Sequence, residues 1–489
     1  MVYLLLLVAA LLSTFVFATD PQTKCLALKN TLRLENTTIL DVAYINAPAI
    51  VSTAGSCQSS ASVTAAPLCR VYFVTNTTST SALHAEAWLP DTWYGRFLGL
   101  GNGGLNGCLD YVGLDYGSSL HFAVVGSDNG HDGSSGLPLL NHPEVINDYA
   151  FRAIHVEAVI GKQIVDAYYG TPSAKSYFLG CSTGGRQGLQ AALKFPADFD
   201  GIVTGAPAVD WNHLMGWLGM LAHYMGATNL DSTATVNTSP KFIPPELWGV
   251  ISAEILRQCD FLDGVRDGII TEPDDCDFRS GGASVYRKPD NGLFDTGATS
   301  SDPFASAVIG GNFSSLTADW ERYAVLNVTE YDFTNFSVQD VALFDQVNPG
   351  GVATFSGDLS AFRDRRGKFL TYHGRRDPLI SSTNSKRVYD LISQTLSQPL
   401  DDFYRLFLIP GMGHCFGGLG PTLLGQGIVP GTNAVNDSAH NVLLALVDWV
   451  EGGLAPATII GSDGNGTERT HCRYPMRSVF NGTLFVCRE

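Results

Sequence analysis

Tyr177-Phe178-Leu179-Gly180-Cys181-Ser182-Thr183-Gly184-Gly185-Arg186-Gln187-Gly188 sets a serine in a G-x-S-x-G pattern, Gly180 to Gly184, between two recognisable segments. Before it, Tyr177, Phe178 and Leu179 make the kind of short apolar run that forms a buried strand. After it, Arg186 to Phe195 reads as a helix stopped by Pro196. A serine on a strand-to-helix turn occupies a tight backbone, where only glycines two residues away avoid a clash. Such a turn exposes the hydroxyl and sets the first helical amides beside it, ready to stabilise an oxyanion. In a chain with 52 glycines the five-residue pattern alone recurs by accident; the flanking strand and helix make it a nucleophile elbow.

Outward from the elbow, strands and helices alternate. Phe97 to Leu100 reads as a buried strand running into the glycine-rich loop Gly101 to Gly107, whose backbone can approach a ligand closely. His121 to Gly126 is another strand, followed by a polar loop through Asp128, Asn129, Gly130 and His131. Ile146, Ala150, Ala153, Val156, Ile160, Ile164 and Ala167 recur at steps of three and four, an amphipathic helix ended by Gly170 and Pro172. Gly201 to Thr204 is the strand after the elbow helix. The order predicts a mostly parallel sheet with helices on both faces, an α/β-hydrolase core. The alternation resumes with a strand at Lys368 to His373, a helix at Ser385 to Leu396 and a strand at Tyr404 to Ile409. A final helix takes Asp437 or Ser438 as its cap, buries Val442, Leu443, Leu446, Val447 and Val450, and ends at Gly452.

Between these halves, residues 212–358 lose that rhythm. Aromatics, glycines and Asp are mixed, and few periodic segments exceed one or two turns. This stretch is expected to form an inserted lid over the catalytic end of the sheet, with the core formed by 19–211 and 359–489. From Cys25 to about Leu89 the chain reads as irregular, with a strand candidate at Val71 to Val74.

The 489 residues suffice for a large core with an insertion, and 45% hydrophobic against 16% charged residues is a globular balance. A formal charge of -17 argues against nucleic acid or an anionic membrane surface as a partner. Leu4 to Phe17 is uncharged and apolar, so residues 1–18 read as a signal peptide cut near Ala18, although no Lys or Arg precedes it. N-x-S/T sequons at Asn36, Asn76, Asn237, Asn312, Asn327, Asn335, Asn436, Asn465 and Asn481 fit a glycosylated, secreted protein. Ten cysteines allow five bridges in an oxidising compartment, and no C-x-x-C points to zinc or redox chemistry.

A serine hydroxyl needs an imidazole to take its proton and a carboxylate to orient that imidazole. In α/β-hydrolases the order is Ser, Asp or Glu, His, each on a loop at the C-terminal end of a strand. Asp377 follows the strand ending at His373, and His414 follows the strand ending at Ile409. For Asp377 the competing expectation is a surface ion pair with Arg375 or Arg376; for His414 the rivals are His373 and His440. Cys181 precedes Ser182 and Cys415 follows His414, so a 181–415 bridge would clamp the nucleophile loop to the base loop. The oxyanion hole is expected to combine the Thr183 amide with that of Gly104, or of Gly103.

Cys25, Cys57 and Cys69, with Cys108 just beyond, are expected to supply two staples to the core, and Cys472 and Cys487 a bridge across a short strand pair. Within the insertion, Cys259 to Ile269 packs three carboxylates and two glycines into one loop bracketed by Cys259 and Cys276. The side chains of Asp260, Asp263 and Asp267 and the carbonyls of Val265 and Ile269 suit Ca²⁺, although the spacing is not that of an EF-hand. Turns are the alternative use of such Asp-Gly pairs.

Four stretches together resemble the tannase and feruloyl esterase family of fungi and its bacterial relatives: Gly180 to Gln187; Phe199 to Val203 with Gly205-Ala206-Pro207; His373-Gly374 through Asp377-Pro378; and Gly411 to Cys415. The resemblance implies a Ser182, Asp377, His414 triad with a Cys181–Cys415 disulfide behind it. It also implies a structural Ca²⁺ at the Asp260 to Ile269 loop, and no organic cofactor. The implied activity is a secreted serine esterase releasing ferulic or related hydroxycinnamic acids from plant cell-wall polysaccharide, working as a monomer or homodimer. A tannase acting on galloyl esters is the alternative, ahead of a serine peptidase or a non-catalytic glycan-binding protein.

Overall fold

The computed structural model describes residues 20–230, 237–279, 304–427 and 435–489; the leader expected over 1–18 lies outside them. Nine strands form one sheet: β1 Thr37–Ile45, β2 Leu68–Asn76, β3 Ala82–Pro90, β4 Arg96–Leu100, β5 Ala123–Ser127, β6 Lys175–Cys181, β7 Gly201–Gly205, β8 Lys368–Gly374 and β9 Tyr404–Ile409. Their spatial order is β1-β2-β3-β5-β4-β6-β7-β8-β9. The six strands from β5 to β9 run parallel, and β1, β2 and β3 extend the sheet antiparallel. The longer helices are α1 Pro21–Thr31, α2 Tyr111–Ser119, α3 Ala153–Tyr169, α4 Thr183–Lys194, α5 Trp211–Tyr224, α6 Pro245–Cys259, α7 Val338–Val347, α8 Ser382–Leu396 and α9 Val442–Gly452.

Alternate side chains of a strand point to opposite faces, so a strand covered on both sides is apolar throughout. Phe97, Val125, Phe178, Ile202 and Phe369 enter one core with Ile164 of α3, Leu189 of α4 and Ile392 of α8. Leu98, Val124, Tyr177, Leu179, Val203 and Leu370 enter the other with Leu114 of α2 and Leu446 of α9. The mostly parallel, two-faced sheet expected from the alternation is the one observed, an α/β-hydrolase core.

Four local expectations are corrected. The region from Cys25 to Leu89 is not irregular: β2 pairs along its whole length with β3, and from Leu68 to Thr75 with β1. The strand expected at Val71 to Val74 lies inside β2, where Val71 and Phe73 are buried and Tyr72 and Val74 half-buried; since all four are apolar, the alternation is muted in the sequence. The cap of α9 is Asn441, whose side chain accepts the amides of Leu443 and Leu444, while Asp437 accepts those of Ala439 and His440 in a separate turn. The Cys472–Cys487 bridge joins two different ribbons, because Glu468–Cys472 pairs with Thr458–Ser462 and Phe485–Arg488 pairs with Arg477–Phe480. The helical period read from Ile146 onward is interrupted by a wider π turn at Asp148–Arg152. There the carbonyls of Tyr149 and Ala150 accept hydrogen bonds from the buried Arg186 guanidinium, at 3.1 and 2.6 Å, and the wider turn presents those oxygens to it.

The inserted segment holds more regular helix than its mixed sequence suggested, with α5 of 14 residues and α6 of 15. Trp211, Met215, Leu218 and Ala222 of α5 join a third core with Phe313, Trp320, Phe336 and Phe344, and with Tyr149 and Leu379 from the sheet's own loops. α5 opens at Trp211, one residue ahead of the boundary expected at 212, and carries apolar residues on more than one face, which blurs its period.

Glu157 fastens α3 beneath the glycine-rich loop. Its Oε1 accepts the Leu100 amide at the end of β4 (3.0 Å), and its Oε2 accepts the Ser127 hydroxyl at the end of β5 (2.6 Å). Burial pushes this carboxyl up to about 8 against two hydrogen bonds that favour its charged form. A value raised on folding stabilises fully below the unfolded value and progressively less as pH rises toward 8. Glu157→Gln retains an acceptor for Leu100 and a donor for Ser127. Its stability relative to the wild type is therefore expected to grow between pH 5 and 8 by up to about 1.4 kcal/mol per pH unit. Parallel Tm-against-pH curves for the two proteins would contradict this.

Candidate active site

Ser182 stands between β6 and α4 with φ 63° and ψ -119°, left-handed backbone held by its amide donating to the Gly205 carbonyl (2.9 Å). The flanking glycines are needed sterically. A Cβ on Gly180 would fall 2.8 Å from the backbone of Gly184, and one on Gly185 would fall 2.6 Å from the Gly205 carbonyl oxygen. These close approaches let α4 begin at Thr183 rather than at Arg186, carrying its first amides to the serine.

The loops after β8 and β9 bring Asp377 and His414 together. His414 Nδ1 lies 2.7 Å from Asp377 Oδ2, and both residues are buried. A ring nitrogen facing a carboxylate carries the proton, which leaves Nε2 as the acceptor. The amides of Leu379 and Ile380 donate to Asp377 Oδ1 at 2.8 Å each, so the carboxylate closes its own loop. His373 flanks the same carboxylate, with Nε2 3.2 Å from Oδ2 and 2.9 Å from the Ile380 carbonyl, and Nδ1 2.7 Å from Ser385 Oγ. Burial alone would raise the Asp377 carboxyl, but the charge of His414 and the hydrogen bonds from His373 and His414 outweigh it and hold the group well below the carboxylate range. The surface ion-pair alternative does not hold, since Asp377 is buried and Arg375 instead meets Glu272 and Asp274 at 3.1 Å. His440 stands apart in the Asp437 turn.

Ser182 and His414 line one cavity of about 460 Å³. The glycine-rich loop supplies one wall, and Trp211, Leu214 and Phe304 of the inserted segment contribute apolar surface. The Phe304 ring meets the His414 ring edge-on, 4.7 Å between centroids. The volume suits a ring-sized ligand, and the lining combines apolar walls with a few polar groups. Behind it, the Cys181–Cys415 disulfide holds two Cα atoms 6.0 Å apart, tying the residue before Ser182 to the residue after His414. The open pairings among the N-terminal cysteines are Cys25–Cys69 and Cys57–Cys108.

Gly103 and Gly104 both line this cavity, and Gly104 takes a left-handed φ of 54°. Its carbonyl accepts the Thr183 hydroxyl (2.7 Å) and the Tyr149 hydroxyl (2.8 Å), which fixes the peptide. Gln187 fixes the loop from below, accepting the Asn102 amide (2.9 Å) and donating to the side chains of Asn102 and Asn129. That Tyr149, Asn102, Asn129 and Gln187 fix the glycine-rich loop was not foreseen from the sequence. The one available signal was Arg186-Gln187, two polar residues in the first turns of a helix that buries every residue from Thr183 to Ala192.

The Asp260 to Ile269 loop is bracketed by the Cys259–Cys276 disulfide. Asp260 accepts the Gly268 amide, Asp263 those of Val265 and the Thr271 hydroxyl, and Asp267 the Ile269 amide. Arg469 approaches Asp263 and Asp267 at 4.0 and 3.8 Å. Among the described residues no three carboxylate, His or Cys groups are gathered as a formed metal centre. The donor set nonetheless fits a hard cation in kind: it is all oxygen, and the Asp267 carboxyl is pushed up by burial and by the nearby charges of Asp263 and Asp260.

A family model described as tannase and feruloyl esterase matches residues 69–301 and 300–486. A probable feruloyl esterase B of Aspergillus clavatus is 39% identical over 503 residues, covering 94% of this chain and 93% of the relative. A probable feruloyl esterase B-2 of Aspergillus fumigatus is 39% identical over 501 residues, with the same coverage of 94% and 93%. Among solved structures, feruloyl esterase B from Aspergillus oryzae superposes with a TM-score of 0.87 at 34% identity, over 96% of this chain and 100% of that one. Tannin acyl hydrolase from Aspergillus niger shares the fold, with a TM-score of 0.69 at 21% identity over 96% of this chain and 94% of that one. The chain belongs to the tannase and feruloyl esterase family.

Proposed function

We propose that the chain is an exported serine esterase that cleaves hydroxycinnamate esters, ferulate above all, from plant cell-wall polysaccharide. The observation that carries this is the buried Asp377–His414 pair opening, with Ser182, into one cavity walled by Trp211 and Phe304. Ser182 Oγ attacks the ester carbonyl while His414 Nε2 takes its proton, and Asp377 steadies the imidazolium that forms. The amides of Thr183 and Gly104 receive the developing oxyanion. His414 then gives its proton to the leaving alcohol, and water reverses the sequence to free the acid and Ser182.

The names of the relatives favour the feruloyl reading. Export is supported by five disulfides and by exposed sequon asparagines at 36, 76, 327, 335, 436, 465 and 481. No helix among the described residues is long and apolar enough to cross a membrane. The test is a side-by-side assay of methyl ferulate, caffeate, sinapate and gallate on enzyme from the culture medium, where an endoglycosidase-sensitive mass is expected. A hydroxycinnamate should exceed methyl gallate by at least about tenfold in kcat/KM, a 1.4 kcal/mol preference. A dominant rate on the gallate would replace this reading with a tannase.

The Asp260 to Ile269 loop is proposed to hold structural Ca²⁺ through Asp260, Asp263 and Asp267 and the carbonyls of Val265 and Ile269. Bound there, the ion would neutralise carboxylates that otherwise repel one another. Chelation by EGTA is expected to lower Tm by a few °C, with recovery on adding Ca²⁺ but not Mg²⁺, as mass action on a native-state site requires. A Tm indifferent to both would remove the metal from the account.

A further inference from the structure

Next to the active-site cavity lies a second of about 180 Å³, and Leu214 and Leu379 line both. Pro378, Leu379 and Ile380, which directly follow Asp377, contribute to the second cavity, so it borders the catalytic loop itself. Ala208, also in its lining, donates its amide to the Ser182 carbonyl at 3.0 Å. The remaining lining comes from two helices, Trp217 and His213 of α5 and Asn384 and Arg387 of α8, with Asp210 just before α5 and Ser381 just before α8. His213 is held between Asp210 (2.7 Å) and Asp345 (2.9 Å), and Arg387 lies 3.8 Å from Asp210 with its guanidinium over the Phe355 ring at 4.9 Å. The side chains of His213 and Arg387 are more than half exposed, at 57% and 58%, so this cavity opens to solvent.

We infer that the second cavity is an alcohol-side subsite for the sugar that carries the ester, an inference that rests on the esterase reading above. An ester has two halves, and the larger cavity, with Ser182 and its aromatic walls, suits the planar acyl half. The alcohol half must leave beside it. A sugar ring presents a C–H face and an edge of hydroxyls. The indole of Trp217 offers the flat apolar surface for the first. Asn384, Asp210 and Arg387 offer planar donors and acceptors for the second. Carboxylates, guanidinium and imidazole of both signs interleave here, leaving no single-sign field to draw an anion or a polycation, and this favours a neutral polyol. The small volume fits one ring, with the rest of a polysaccharide passing out through the open side.

The test uses Trp217→Ala and Asn384→Ala, neither of which lines the larger cavity. For each, kcat/KM is measured on methyl ferulate and on ferulate esterified to arabinose. The ratio of sugar ester to methyl ester is expected to fall about tenfold, chiefly through KM, as a lost stacking face or hydrogen bond would cause. Should the tryptophan variant fail to fold, the asparagine variant, at a solvent-facing edge, decides the question. A ratio within about twofold of the wild-type value in the folded variants overturns the subsite. If the wild type cleaves neither ferulate ester but does cleave methyl gallate, the feruloyl reading fails alone. The same ratio, taken on glucose gallate over methyl gallate, then decides the subsite.

Discussion

Ser182→Ala is expected to lower kcat on methyl ferulate by about 10⁴-fold or more, with KM little changed. The substitution removes one oxygen and keeps the Cβ, so the left-handed backbone at φ 63° bears no new clash and the elbow should survive. The cavity, the disulfide behind it and the glycine-rich loop are untouched, so ester binding persists while the covalent step is lost. What remains should be the modest catalysis that oxyanion donors and binding alone provide. A variant that is folded, by Tm, and retains kcat within tenfold of the wild type would remove Ser182 from the chemistry.

The second large effect is expected from Asp377→Asn, a loss of kcat of about 10⁴-fold with the fold intact. Asp377 Oδ2 faces two imidazoles at once, His414 at 2.7 Å and His373 at 3.2 Å, while Oδ1 takes the Leu379 and Ile380 amides. An asparagine that keeps its oxygen on those amides must turn its NH₂ toward the imidazoles. His414 Nδ1 then becomes an acceptor, the ring proton moves to Nε2, and the base that should receive the serine proton is blocked. The carboxylate's lowered value also has a consequence for stability. A value depressed on folding contributes stability that is present above the unfolded value near 3.8 and is lost as pH falls through the folded one. Asp377→Asn should therefore narrow its stability gap to the wild type as the medium is taken below pH 4. Activity close to the wild type in this variant would mean that another group orients His414.

How much of this was legible depended on sequence distance. The elbow is local: strand, serine and helix occupy one stretch, and their glycines announce a close backbone approach that the Gly180–Gly184 contact then explains. Asp377 and His414 were legible because each follows a strand of the parallel sheet, where topology carries the loop to the catalytic edge whatever its own sequence. His373 was read only as a rival to His414, yet it serves the same carboxylate, because the last residues of a strand and the loop after it share one edge. The hydrogen bonds from Tyr149 to Gly104 and from Gln187 to Asn102 and Asn129 span 45 to 85 residues. No periodicity encodes such pairings; they are set when α3 and α4 dock on the sheet. Of the antiparallel edge only Val71 to Val74, inside β2, was legible, for a different reason. Its pairing is carried by backbone hydrogen bonds, and β2 sets apolar residues on both faces, as at Val71-Tyr72-Phe73-Val74, which leaves a weak alternation. The second cavity needs α5 and α8 side by side, helices separated in the chain by the rest of the inserted segment and by β8.

The most direct test of the central claim is to trap the acyl-enzyme. The protein would be mixed with methyl ferulate, quenched in acid within the first turnovers, digested and examined by peptide mass spectrometry. A feruloyl mass increment on the peptide bearing Ser182, absent from Ser182→Ala, is the predicted result. Turnover of the ester with the increment on another residue would contradict the account.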